Sequence, residues 1–241
     1  MASIRNKKLL EEAYHATKSK LDAGDFPSTL LHPNVPFYRY INPASQYTLL
    51  PKPPTGSPLS KALADTLLVP ADSIKDFGNR SSGPSPIPAI PSNAGLYCAG
   101  QQQALVNEMS HHRGIAPKWA TANHCVLRLR ASTILPVADL SPHNPRATRW
   151  VKELGKDMWK RMIDPDDCSA ARGIAYAIAA SGFFRGICSQ TVRPSDRSLD
   201  ERGDNIVLFS KPGLAVPYVH VDKAYYFGRK SEPEVFTVDS P

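Results

Sequence analysis

The chain of 241 residues has no run of about 18 apolar residues, so it holds no candidate transmembrane helix. Cysteine is scarce: Cys98, Cys125, Cys168 and Cys188 stand far apart and form no CxxC pair. That spacing supplies neither a zinc cage nor a disulfide framework, and it favours reduced thiols. No HExxH or comparable spacing links His111, His112, His124, His143 and His220, so no metal is expected. There is no internal repeat, and no block of Lys or Arg exceeds a pair such as Lys7-Lys8. Residues 1–24 are charged and lack the apolar stretch of a secretory signal. The expectation is a cytoplasmic protein, with delivery to another cell's cytosol without a cleaved signal left open.

What is present is an excess of positive charge, +7 net. This selects anionic partners in general and none in particular, because the basic residues are scattered. An apolar fraction of 41% can supply a core, and 23 prolines point to long irregular connections rather than a helical bundle.

The apolar pattern orders the chain. Residues 1–24 read as a polar helix with a stripe of Ile4, Leu9, Leu10, Ala13, Tyr14 and Leu21, capped by Gly24. Residues 27–36 read as a linker and 37–41 as a strand. From 42 to 92 proline and serine dominate, with one helix expected near 59–68. A short buried strand at 95–99 leads into a helix over 101–112, and the apolar/basic alternation of 125–131 marks a half-buried strand. Amphipathic residues 146–162 and the small, apolar 170–181 read as helices, the second stopped by Gly182. Strands follow near 184–192, 205–209 and 216–221, with short extended pieces near Tyr225 and Val235. Strands and helices mix without βαβ alternation, which predicts an α+β fold. Residues 1–30 are expected to form a helical extension to a domain over 31–241.

Glu108 is the most informative polar residue. In the 101–112 helix Ala104, Leu105 and Met109 form the apolar stripe, and Glu108 lies at i+4 and i+3 from the first two. Its carboxylate therefore projects from the buried side, where it needs a partner or a cavity, unless it reaches solvent from the edge of the stripe. Arg39 sits in the aromatic strand Phe37-Tyr38-Arg39-Tyr40 and points opposite to its tyrosine neighbours. Arg80 occupies a glycine-bearing turn, Gly78-Asn79-Arg80-Ser81-Ser82-Gly83, where guanidinium and backbone could converge on a phosphate. Tyr97 lies in an apolar strand and Ser189 in Gly186-Ile187-Cys188-Ser189-Gln190, without the GxSxG setting of a hydrolase. Each of these four has an ordinary structural or surface reading as well.

Taken in order, these segments resemble the RES-domain family of NAD⁺-degrading toxins. Phe37-Tyr38-Arg39-Tyr40 is similar to the family's arginine-bearing opening strand, and Gly78 to Pro84 resembles its Gly-Arg-Trp-Asn-x-x-Gly segment without the tryptophan. Gly95-Leu96-Tyr97-Cys98-Ala99 followed by Ala104-Leu105-Val106-Asn107-Glu108 is similar to the tyrosine strand and glutamate helix. Gly186 to Arg193 and Gly203 to Phe209 resemble the closing serine motif and strand. The resemblance covers about 35–210, with a lead-in over 42–77 longer than the family's.

The resemblance implies a fold related to ADP-ribosyltransferases and cleavage of the nicotinamide–ribose bond of NAD⁺, by hydrolysis or phosphorolysis. NAD⁺ would be substrate, with no metal. Arg39 and Arg80 would hold diphosphate or ribose, and Tyr97 would stack on a ring. Glu108 would bind ribose hydroxyls and stabilise the oxocarbenium-like centre, and Ser189 would hydrogen-bond the ligand. A neutralising antitoxin or immunity protein is the implied partner. An ADP-ribosyltransferase with a macromolecular target, an inactive scaffold of the same fold, and a non-catalytic basic nucleic-acid-binding protein are the alternatives. Against the last, the chain shows no helix-turn-helix, RNP aromatic pattern or basic stripe, and nucleic acid is not an expected partner.

Overall fold

The computed structural model describes residues 4–41, 44–45, 48–49, 54–70, 81–101, 124–141, 144–154, 167–190, 204–227 and 232–238. The fold is α+β, as the unalternated pattern predicts. Helix α1 (Lys7–Asp22) starts at Asn6, whose side chain accepts the Leu9 N–H. Strands β1 (Ser28–Leu31) and β2 (Phe37–Ile41), the hairpin β3 (Ala44–Ser45) and β4 (Thr48–Leu49), and helix α2 (Lys61–Thr66) follow. Then come β5 (Ala94–Ala99), β6 (His124–Ala131), β7 (Leu135–Asp139), α3 (Pro145–Leu154), α4 (Ser169–Ser181), β8 (Gly186–Gln190), β9 (Asp204–Ser210), β10 (Val219–Phe227) and β11 (Glu234–Thr237). Among the described residues no helix is long and apolar enough to cross a membrane.

Besides the hairpin strands β3 and β4, two strands depart from the sequence expectation. β1 lies inside the stretch read as a linker, and β7 has no counterpart in it. Both are short, and each carries a feature that hides it: β1 is half exposed, and β7 contains Pro136. Pro136 is tolerated because it faces Leu30 in a pair that exchanges no hydrogen bonds.

Apart from the small hairpin, the strands form one mixed sheet in the order β1-β7-β8-β9-β5-β2-β6-β10-β11, with β7 and β8 parallel. This order forces the sheet to roll. β6 and β7 are five strand spacings apart, about 24 Å if the sheet were flat. Ala131 and Leu135, however, are joined by four residue steps, which reach about 14 Å at most. The roll brings the start of β10 back to the β8–β9 side. There the Tyr218 hydroxyl donates to the Arg185 carbonyl at 3.0 Å and to that of Phe209. The Ser132 N–H also donates to the Tyr218 carbonyl.

Alternation along the strands sorts residues onto two faces. The inner face encloses one core, with Phe37, Ile41, Leu96, Leu127, Leu129, Leu208 and Val221, closed by Leu59, Leu67 and Leu68 beside α2. The outer face of β8 and β9 carries α4, and α1 packs on α4. Ile187, Val207, Ile174, Tyr176, Leu10 and Ala13 make this second core. α4 is apolar nearly all round because it lies between α1 and the sheet, and Gly182 ends it with φ +70°. Each fully buried aliphatic or aromatic side chain contributes about 1.5–3 kcal/mol. Trp150 of α3 packs edge-on against Phe26, ring centroids 5.0 Å apart.

The roll has one thin seam. β2 and β5 are paired only at Tyr38↔Ala99, whereas β5 pairs with β9 over six residues and β2 with β6 over five. Two half-sheets, β1-β7-β8-β9-β5 and β2-β6-β10-β11, therefore meet at one position and share the inner core.

Candidate functional site

Four segments scattered through the sequence, 37–41, 94–99, 186–190 and 204–210, become the contiguous strands β2, β5, β8 and β9. Their register draws a row across the sheet: Ser189↔Asn205↔Ala99↔Tyr38↔Arg128↔Lys223. Residues directly opposite project to the same side, so this row lies on the outer face, and Tyr97 is on that face as well. Ala99 at its centre is fully buried.

Tyr97 holds down the segment that follows Arg80. Its hydroxyl accepts the Ser81 N–H at 2.7 Å and lies 3.3 Å from the Ser82 hydroxyl. The Asn93 side chain donates to the Ser81 carbonyl, and the Gly83 N–H donates to the Asn93 carbonyl at 2.8 Å. From the other side Tyr176 of α4, fully buried, donates to the carbonyls of Gly83 and Pro84. The 81–84 segment is thus fastened to β5 by Tyr97 and to α4 by Tyr176. Tyr97→Phe is expected to lower stability by about 1 kcal/mol, the usual worth of one such hydrogen bond, read as a shift in the urea midpoint. An unchanged midpoint would mean that Asn93 and Tyr176 suffice.

Arg39 is on the other face. It shares the inward side of β2 with Phe37 and Ile41 and stands beside Cys98 at the seam, opposite to Tyr38 and Tyr40 as alternation requires. The described residues therefore bring Tyr97 and Ser189 to one face and Arg39 to the other, with Tyr97 and Arg39 on the strands that flank the seam and Ser189 two strands away on β8. Arg80 and Glu108 lie outside the described residues, as does the expected helix over 101–112 beyond Gln101.

The Cys98 thiol is pushed up from 9.0 to about 12 by burial, against the pull of the Arg39 guanidinium. Burial does the same to Cys125, also to about 12, with a backbone hydrogen bond from Tyr225 opposing it. Protonated thiols are favoured by the fold, so this stability is fully present below pH 9 and is lost as pH rises towards 12. Each thiol should steepen alkaline destabilisation by about 1.4 kcal/mol per pH unit within that window. Urea titrations from pH 8 to 11 check this: Cys98→Ala should flatten the slope, and an unaltered slope would exclude Cys98. All four cysteines are free and buried.

Sequence reading passed over Asn205 and the charges at the far end of the row. Arg128 and Arg130 both contact Asp222, at 2.7 and 2.8 Å, at the bulge in β10 between Val221 and Lys223. Partial burial opposes ionisation of Asp222, but the combined bonds and charges of Arg130 and Arg128 outweigh it and hold the carboxyl below the usual range. Lys223 sits directly opposite Arg128, so the end of the row keeps an excess of positive charge. The basic alternation of β6 was the available signal, and it reads equally as a solvated strand face. Among the described residues no three His, Cys, Asp or Glu side chains gather as metal ligands.

Compared with protein-family models, with curated proteins and with solved structures, the chain finds no match.

Proposed function

We propose that the chain cleaves the bond between nicotinamide and ribose of NAD⁺ at the seam between β5 and β2. One observation carries the reading: the strand segments that resemble RES-domain motifs are neighbours in the sheet, and the segment after Arg80 is hydrogen-bonded onto Tyr97 of the middle one. Neighbours in space drawn from segments spread over residues 37–210 are what a shared site requires. On this reading the fold belongs with the ADP-ribosyltransferases.

The dinucleotide runs over the thin seam rather than lying flat on one face. Ser189 hydrogen-bonds it and Tyr97 presents its ring from the outer side. Arg39 reaches the diphosphate from the inner side and Arg80 supplies a second guanidinium, with charge-assisted bonds worth about 1.5–3 kcal/mol each. The excess positive charge around Arg128 and Lys223 draws the anion in. As the glycosidic bond breaks, its electron pair leaves with nicotinamide, which departs neutral, and C1′ becomes cationic. The Glu108 carboxylate offsets that charge, and water or phosphate adds to C1′ and gives up a proton. No general acid is needed. As a toxin, such an enzyme would be held in check by a neutralising partner.

The test is incubation of the purified protein with NAD⁺, with and without phosphate, following nicotinamide by chromatography. Nicotinamide release is expected, with ADP-ribose as co-product in both conditions if water is the acceptor, or with ADP-ribose 1″-phosphate and only when phosphate is present if phosphate is. Folded protein that leaves NAD⁺ intact in both would end the hydrolase and phosphorylase readings.

A further inference from the structure

We propose that the outer face of the half-sheet β2-β6-β10-β11 binds single-stranded nucleic acid, with bases stacked on its aromatic rings and phosphates on its basic row. This does not rest on the NAD⁺ reading, since it needs neither Glu108 nor Ser189. The strand register assembles the face. Tyr38↔Arg128↔Lys223 form one row across β2, β6 and β10, and Tyr40↔Val126↔Tyr225 form the next. Phe227, two residues beyond Tyr225, extends the aromatic side, and Arg130, two residues beyond Arg128, extends the basic side. Rows lie about 7 Å apart, twice the rise per residue, and neighbouring strands about 4.8 Å. A base over the aromatic row therefore leaves its phosphate within reach of the basic one.

The rings are laid out on the sheet. Val126 is fully buried, and Tyr38, Tyr40, Tyr225 and Phe227, each half-buried, pack against it and Ala99. Among the described residues this cluster holds strand residues alone, whereas α4 and α1 lie over the outer face of β8 and β9.

Charge and rings together select the occupant. Arg128, Arg130 and Lys223 are three cations against the one carboxylate of Asp222. Asp222 and the carbonyls of Pro33 and Asn34 hold Arg130, and Asp222 also fixes Arg128. Lys223 forms no ion pair among the described residues. An acidic peptide would meet the cations and leave the rings without stacking partners, and a duplex keeps its bases in its own stack. A single strand offers phosphates and free base faces at once. The sequence shows no aromatic or basic stripe because these residues come from three strands spread between 38 and 227, and only the pairing joins them.

The test is fluorescence anisotropy of the full chain, without NAD⁺, against labelled twelve-nucleotide oligo-dT and oligo-U, a duplex of the same length, and a polyglutamate peptide. Both single strands should bind at least tenfold more tightly than the duplex or the peptide at equal salt. Two phosphate contacts, at Arg128 and Lys223, predict that log K falls with log salt with a slope of about −1.4. Tyr225→Leu keeps an apolar cover over Val126 but removes a ring, so it should weaken binding about fivefold or more without moving that slope. Tyr225→Phe should bind like the parent. Lys223→Gln should make the slope shallower by about 0.7. Circular dichroism confirms that each variant folds. Duplex or polyglutamate bound as tightly as the single strands, parental binding by Tyr225→Leu, or no saturable binding of either single strand would overturn the proposal. Equal binding of polyglutamate would instead make the face a site for an acidic protein.

Discussion

Glu108→Gln is expected to lower kcat for nicotinamide release by about a hundredfold to a thousandfold, the usual worth of one preorganised group facing charge that develops in a transition state. The argument is one of charge at constant shape. Glutamine keeps the side chain's length and its capacity to hydrogen-bond ribose hydroxyls, so binding of NAD⁺ should change little. On the proposed mechanism, what disappears is the negative charge that offsets the cation at C1′. The substitution also removes a carboxylate from the apolar side of the predicted helix, so the variant should be at least as stable as the parent. Single-turnover kinetics beside a thermal melt separates the two effects. Wild-type turnover in a folded Glu108→Gln protein would remove the carboxylate from the chemistry, wherever else NAD⁺ binds.

The second large effect concerns the scaffold. Gly173 faces α1: an added Cβ would stand 2.2 Å from the Leu10 carbonyl oxygen and 2.9 Å from the Ala13 Cβ. A backbone oxygen inside a helix cannot swing aside, so α1 and α4 would have to separate. Gly173→Ala should therefore cost about 3 kcal/mol, the upper part of the range for overpacking, although alanine is the better helix former. Urea unfolding measures it, with exposed Ala180→Gly as the control that should cost about 1 kcal/mol through propensity alone. A loss below the control's would mean that the helices reseat without strain.

The local pattern was readable where burial is regular. β2 has the bounds that its aromatic run predicts, α4 is the small apolar helix ended by Gly182, and β5, β6 and β9 differ by a residue or so at their ends. β10 is longer than expected, one strand through Tyr225 to Phe227, because its bulge interrupts the alternation at Asp222. β1 and β7 escaped because an edge strand need not alternate cleanly and a proline argues against a strand. Within the site, Arg39 was rightly set apart from its tyrosine neighbours. That this puts it across the sheet from Tyr97 and Ser189 depends on the order of the strands, which no local periodicity encodes. Asn205 escaped because nothing in its own segment shows that Ser189 and Ala99 will flank it.

The strand order also dictates when the sheet can form. β9 lies between β8 and β5, and the chain makes β5 more than a hundred residues before it. At about 5–20 residues per second, a ribosome needs roughly 5–20 s to cover that interval. Until β9 emerges, β5 has no pairing to the strands β1, β7 and β8, and it is paired with the rest of the sheet only at Tyr38↔Ala99. Most pairings are of this long-range kind, which places the protein among slow folders whose unpaired edges stay exposed during synthesis. A chain truncated before β9 should therefore not form a smaller stable version of the fold, but should aggregate or be degraded.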